Sequence, residues 1–169
     1  LGQRGAGEVW RSKGIKPVTF AYPRNIAGFV DELEKYGFIG YRESHQKQRS
    51  MLKRLKGMCN EANMWQRAQE DGFIDNGVFC VPAGYFLNWR HGARRAIPAR
   101  MTRRRWRHII QDASNRGKVI HMWTHPHNFI DGGSQYRMLN DILEDVSDAI
   151  ANGYLLNTTL GEYCREAMK

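Results

Sequence analysis

Val119-Ile120-His121-Met122-Trp123-Thr124-His125-Pro126-His127-Asn128-Phe129 closes an apolar run with three of the six histidines of the chain on alternate residues. Side chains of a β-strand alternate between its two faces, so a strand here places Val119, His121, Trp123, His125 and His127 together and turns Ile120, Met122 and Thr124 the other way. Pro126 has no N–H for a sheet ladder. The strand therefore ends near His125, and His127 and Asn128 fall in the loop beyond it. The ends of parallel strands are where α/β proteins gather their ligand-binding and catalytic groups.

Outward from that stretch, short apolar runs alternate with amphipathic ones. Strands are expected over Lys16 to Tyr22, Phe38 to Arg42, Gly77 to Phe86, Lys118 to His125 and Tyr154 to Thr158. Helical spacing carries Ile26, Phe29, Val30, Leu33 and Tyr36 up to Gly37, then Met51, Leu52, Leu55 and Met58 within a long segment from Gln46 to about Glu70. Further helices are expected from Thr102 to Asn115, ended by Gly117, from Ser134 to Asn152, stopped by Gly153, and from Leu160 to Met168. This order predicts βαβ units, a mainly parallel sheet and helices packed outside it. Five such units suffice for an open sheet and fall short of a barrel of about eight.

A chain of 169 residues, 41% hydrophobic, is sized for one sizeable core, so the whole of 1–169 is read as belonging to a single domain. No window is long and apolar enough to cross a bilayer, and Leu1-Gly2-Gln3-Arg4-Gly5 has no signal-peptide pattern. Cys59, Cys80 and Cys164 are widely spaced and odd in number, which suits reduced thiols and favours a reducing compartment such as the cytoplasm. The net charge of +9 calls for an anionic partner to be considered. Eight arginines lie between Arg90 and His108, with Trp106 among them. That run reads either as an anion-binding stretch or as a solvated helix start capped by Thr102, with Trp106, Ile109 and Ile110 turned inward. No helix-turn-helix, zinc-finger or RNP pattern supports nucleic acid as the partner.

Two segments carry a family resemblance. Phe20-Ala21-Tyr22-Pro23-Arg24-Asn25 after one strand and His121-Met122-Trp123-Thr124-His125-Pro126-His127-Asn128-Phe129 after a later one resemble the polysaccharide deacetylases, the metal-dependent carbohydrate esterases of the chitooligosaccharide deacetylase fold. Val81-Pro82-Ala83-Gly84-Tyr85-Phe86-Leu87 and Asn157-Thr158-Thr159-Leu160-Gly161-Glu162 look like the same family, so the likeness spans nearly all of the chain from Lys13 onward.

The resemblance implies part of a distorted (β/α) barrel and a hydrolase that removes acetyl groups from a polysaccharide or an amino sugar, with a divalent metal, zinc first among the candidates, in the intact protein. The family's metal-binding aspartate and histidine pair have no counterpart here. The chain is thus expected to correspond to the C-terminal portion of such a domain, to hold no metal by itself and to be inactive alone. By the same resemblance His125 is the general acid that protonates the departing amine, and Trp123 walls the acetyl pocket. Arg24 and Asn25, with His127 and Asn128, are the other candidate substrate contacts. Arg24 follows Pro23, while the family's RxPY pattern sets its arginine where Ala21 stands here. His121, deeper in the strand, reads as a core histidine, and His45, His91 and His108 belong to no constellation. The alternative to an enzyme is a noncatalytic module that binds an anionic glycan or nucleic acid.

Overall fold

The computed structural model describes residues 10, 12–22, 27–43, 63–69, 71–87, 92–130 and 132–169. Along them run β1 (Thr19–Ala21), α1 (Val30–Lys35), β2 (Gly40–Glu43), β3 (Phe73–Asp75), β4 (Val78–Pro82) and β5 (Tyr85–Phe86). A 3-10 turn (Gly92–Ala96), α2 (Ala99–Arg116), β6 (Met122–Trp123), a second 3-10 turn (Pro126–Phe129), α3 (Gly133–Ala151) and α4 (Leu160–Ala167) follow. These elements make a mixed α/β structure whose strands pair mostly in parallel, and among the described residues they divide between two compact units.

The first unit takes its residues from 1–45, 72–83 and 158–169. Its sheet has the order β1-β2-β4-β3, parallel except for the β3–β4 pair. The run Val78-Phe79-Cys80-Val81 is buried on both faces, which is what a continuous apolar strand demands. Val78 and Cys80 join Leu33 of α1, Tyr22 and Tyr41 in one cluster, while Phe79 and Val81 meet Cys164 and Leu160 of α4 in another. A side chain at Gly40 would collide with the Cys164 sulfur, so this glycine lets α4 approach the sheet. The start of α4 is fixed by Thr159 and Glu162, each side chain accepting from the other's backbone N–H.

The second unit takes its residues from 46–71 and 84–157. Trp106 and Ile109 of α2, Met138 and Ile142 of α3, and Tyr85 and Leu87 form its core, with Ile120 and Met122 packed against it. Charge adds a second tie between the two helices. Arg103 and Arg107 each place two guanidinium nitrogens on the Asp145 carboxylate, at 2.9–3.0 Å. Burial pushes the Asp145 carboxyl up, but the two guanidinium groups outweigh it and hold it below the usual carboxylate range.

Several sequence expectations are corrected here. Asn76 and Gly77 both have positive φ and join β3 to β4 in a hairpin, so an unforeseen antiparallel strand edges the sheet. The single strand expected over Gly77 to Phe86 breaks at Gly84 into β4 and β5, which lie in separate sheets. Of Lys118 to His125 only Met122 and Trp123 form a ladder. Tyr154 to Thr158 has no strand: the Tyr154 and Leu155 N–H groups turn back to Ala149, and Leu156 is 92% exposed. Of the segment Gln46 to Glu70, residues 46–62 and Glu70 lie outside the described set, and 63–69 are irregular rather than helical. Asn63 accepts from the Trp65 N–H, and the Ala68 N–H reaches Asp112 on α2 instead of a carbonyl four residues back. Helix α1 starts at Val30, and α2 starts after Pro98, so Thr102 is a buried residue of its first turns and not a cap.

Part of the arginine run is engaged within the protein. Arg103 and Arg107 grip Asp145, and Arg105 is only 4% exposed, donating to the Gln66 side chain. Because the Asp145 carboxyl is depressed in the folded state, its contribution to stability is present above the unfolded carboxylate pKa of about 4 and is lost as the pH falls through the lower folded value. Asp145→Asn is therefore expected to cost about 1–3 kcal/mol at neutral pH. Denaturant titrations at successively lower pH should show the gap to the parent chain narrowing; a gap independent of pH would contradict this account.

Candidate functional site

The histidine segment is held by a very short parallel ladder. The Tyr85 N–H donates to the His121 carbonyl at 2.7 Å and the Leu87 N–H to the Trp123 carbonyl at 3.0 Å. Tyr85 lies opposite Met122 and Phe86 opposite Trp123. Alternation then separates the pairs: Tyr85 and Met122 face the core of α2 and α3, and the Phe86 and Trp123 rings meet with centroids 4.7 Å apart. Gly84, at φ +79°, is the residue that allows this pairing, since a Cβ there would run into the His121 carbonyl oxygen. The Tyr85 hydroxyl donates to the Arg67 carbonyl at 2.8 Å, and burial pushes its pKa up to about 12.

Beyond β6 the chain leaves the ladder at Thr124, as Pro126 requires, and enters the turn Pro126–Phe129. Asn128, 1% exposed, ties that turn. Its Oδ1 accepts from the His125 N–H at 2.9 Å and from the Thr124 hydroxyl at 3.2 Å, and its own N–H returns to the His125 carbonyl at 2.9 Å. The amide Nδ2 is buried with no acceptor among the described residues. Asn128 therefore acts on the site by fixing the backbone of His125.

This turn brings three of the expected residues together. The Trp123 and His125 rings meet edge to face with centroids 5.4 Å apart, and His125 and His127 stack at 5.1 Å, 13° from parallel. Both histidines are exposed, while Trp123 is partly buried. His121 is partly buried, and its carbonyl serves the ladder. His108 lies elsewhere on α2, with Nδ1 3.3 Å from the Gln66 carbonyl. Arg24, Asn25, His45 and His91 lie outside the described residues.

Phe86 was not among the sequence candidates, and the reason is physical. A single strand from Gly77 to Phe86 gives no cue that the chain changes sheet, although Gly84 within an apolar run marks a close backbone approach. Among the described residues no group of three or more His, Cys, Asp or Glu side chains could hold a metal ion. Among the described residues His125 and His127 join no third His, Cys, Asp or Glu side chain that could complete a metal site, so they do not fit the metal that the family resemblance implies. No helix among them is long and apolar enough to cross a membrane. No protein-family model, curated protein or solved structure matches the chain.

Asn128→Ala is expected to destabilise the chain by about 2–3 kcal/mol, because it removes an acceptor for two donors from a buried position. Thr124→Val removes one of those bonds and should cost about 1 kcal/mol. Thermal melts give the costs, and the ring proton signals of His125 and His127 report the turn. Unchanged ring contacts in Asn128→Ala would show that Asn128 does not position them.

Proposed function

We propose that the chain contributes the proton-donating side of a deacetylase that hydrolyses the acetamide of a polysaccharide or amino sugar to a free amine and acetate. The observation that carries the reading is the grouping of exposed His125 with Trp123 at the end of a parallel strand, within the segment that resembles the polysaccharide deacetylases. An imidazole suits the task because its ordinary pKa lies near neutrality, so it can protonate an amine that leaves as a stronger base. The proton passes from a His125 ring nitrogen to the departing nitrogen as the carbon–nitrogen bond breaks. Trp123 and Phe86 offer an apolar wall against which an acetyl methyl can rest. His127, stacked on His125, lies within reach of the same substrate.

A divalent metal would polarise the acetyl carbonyl and activate water when bound, but the described residues supply no site for it, so that half of the chemistry belongs to residues other than these. The barrel implied by the resemblance is part of this proposal, with the parallel strands β1, β2, β4, β5 and β6 as its contribution from this chain. The anionic-ligand alternative loses three of its arginines, since Arg103, Arg105 and Arg107 are engaged within the protein.

The test is acetate release from an N-acetylated amino-sugar oligomer by a metal-loaded protein that contains this chain. His125→Ala should lower kcat by about a hundredfold or more with metal content unchanged. Trp123→Ala should broaden the range of acyl groups removed, and His121→Ala should act through stability. Turnover by His125→Ala at nearly the parent rate would overturn the assignment.

A further inference from the structure

Between α2, α3 and the chain that follows α3 lies an open groove of about 530 Å³, floored by the buried side chains of Ile110 and Ala149. Clefts that take small ligands occupy about 300–1,000 Å³. Ser114 and Asn115 line it from α2, Asp148 from α3, and Tyr154 from the turn beyond. None of these four side chains hydrogen-bonds to another described residue, so their donors and acceptors are open to a ligand. Tyr154 is held in place by its backbone: its N–H donates to the Ala149 carbonyl at 2.8 Å after Gly153 has turned the chain at φ +74°. Its ring is left 66% exposed at the groove.

The two carboxylates of the groove are placed differently. Asp145 at one side is already matched by Arg103 and Arg107, whereas the Asp148 carboxylate has no cationic partner among the described residues. Arg107 lines the groove beside Asp145 and is engaged by it, so Asp148 is the lining carboxylate left open to a cationic group. An aromatic face, a carboxamide, a hydroxyl and an unmatched carboxylate together suit one chemical class. A sugar ring lays its C–H face on an aromatic ring, its hydroxyls exchange hydrogen bonds with amide and hydroxyl groups, and an ammonium substituent pairs with a carboxylate.

We infer that this groove binds a saccharide unit bearing a protonated primary amine, through Asp148 and Tyr154. The inference stands on the groove alone and holds whether or not His125 is a proton donor.

Isothermal titration of the full chain with the trimer of glucosamine, and with its N-acetylated counterpart, tests it, together with amide shift mapping. The amine trimer should bind with shifts at Ser114, Asn115 and Tyr154, and the acetylated trimer should bind about tenfold more weakly or not at all. Asp148→Asn and Tyr154→Ala should each weaken binding by about tenfold. Both side chains are exposed, so each variant should keep the parent melting temperature. Absence of binding, equal binding of the two trimers, or parent affinity in both variants would overturn the inference. So would shifts confined to Trp123, His125 and His127, which would instead place the ligand at the end of β6.

Discussion

Two backbone hydrogen bonds, Tyr85 N–H to His121 and Leu87 N–H to Trp123, set the geometry on which the rest of the site depends. They fix the register that turns Met122 into the core and leaves Trp123 against Phe86. A one-residue slip would exchange those faces and carry His125 with them. The ladder is short because Gly84 begins it on one strand and Pro126 prevents its extension on the other. What it lacks in length is supplied by packing: Tyr85 and Leu87 are buried beside Trp106 and Met138, and Asn128 holds the turn that follows.

Charge is arranged to a different end from the one that net charge suggests. A chain of +9 with eight arginines between Arg90 and His108 reads as an anion binder, yet Arg103 and Arg107 join two helices through Asp145, and Arg105 is buried on Gln66. Asp112 works similarly, accepting from the Ala68 backbone and from Arg116, which lowers its pKa in that order of effect. These contacts hold residues 66–68 along α2 without any helix of their own.

Much of the fold is legible from local signals. Helix ends at Gly37, Gly117 and Gly153 follow from glycine in the left-handed region, and Pro126 stops its strand as a residue without an N–H must. The apolar run Val78 to Val81 reads as a strand, and the structure buries it on both faces. The misreadings have both local and distant causes. Asn76-Gly77 is a hairpin signal in its own right, but a strand read from Gly77 onward takes its glycine as a strand residue. The irregular path of 63–69 depends on Asp112, and the missing strand at Tyr154 to Thr158 on backbone bonds to Ala149. In the site, alternation placed Trp123, His125 and His127 together, whereas the buried role of Asn128 and the presence of Phe86 follow from burial and pairing that one segment cannot reveal.

Hydrogen exchange at the Tyr85 and Leu87 amides, read alongside the ring-to-ring contacts of Trp123, His125 and His127, measures this dependence most directly. Both amides should be protected in the parent chain, and Gly84→Ala should remove the protection and the ring contacts together. Ring contacts that survive the loss of protection, or protection that survives Gly84→Ala, would contradict the claim that this ladder positions the histidines.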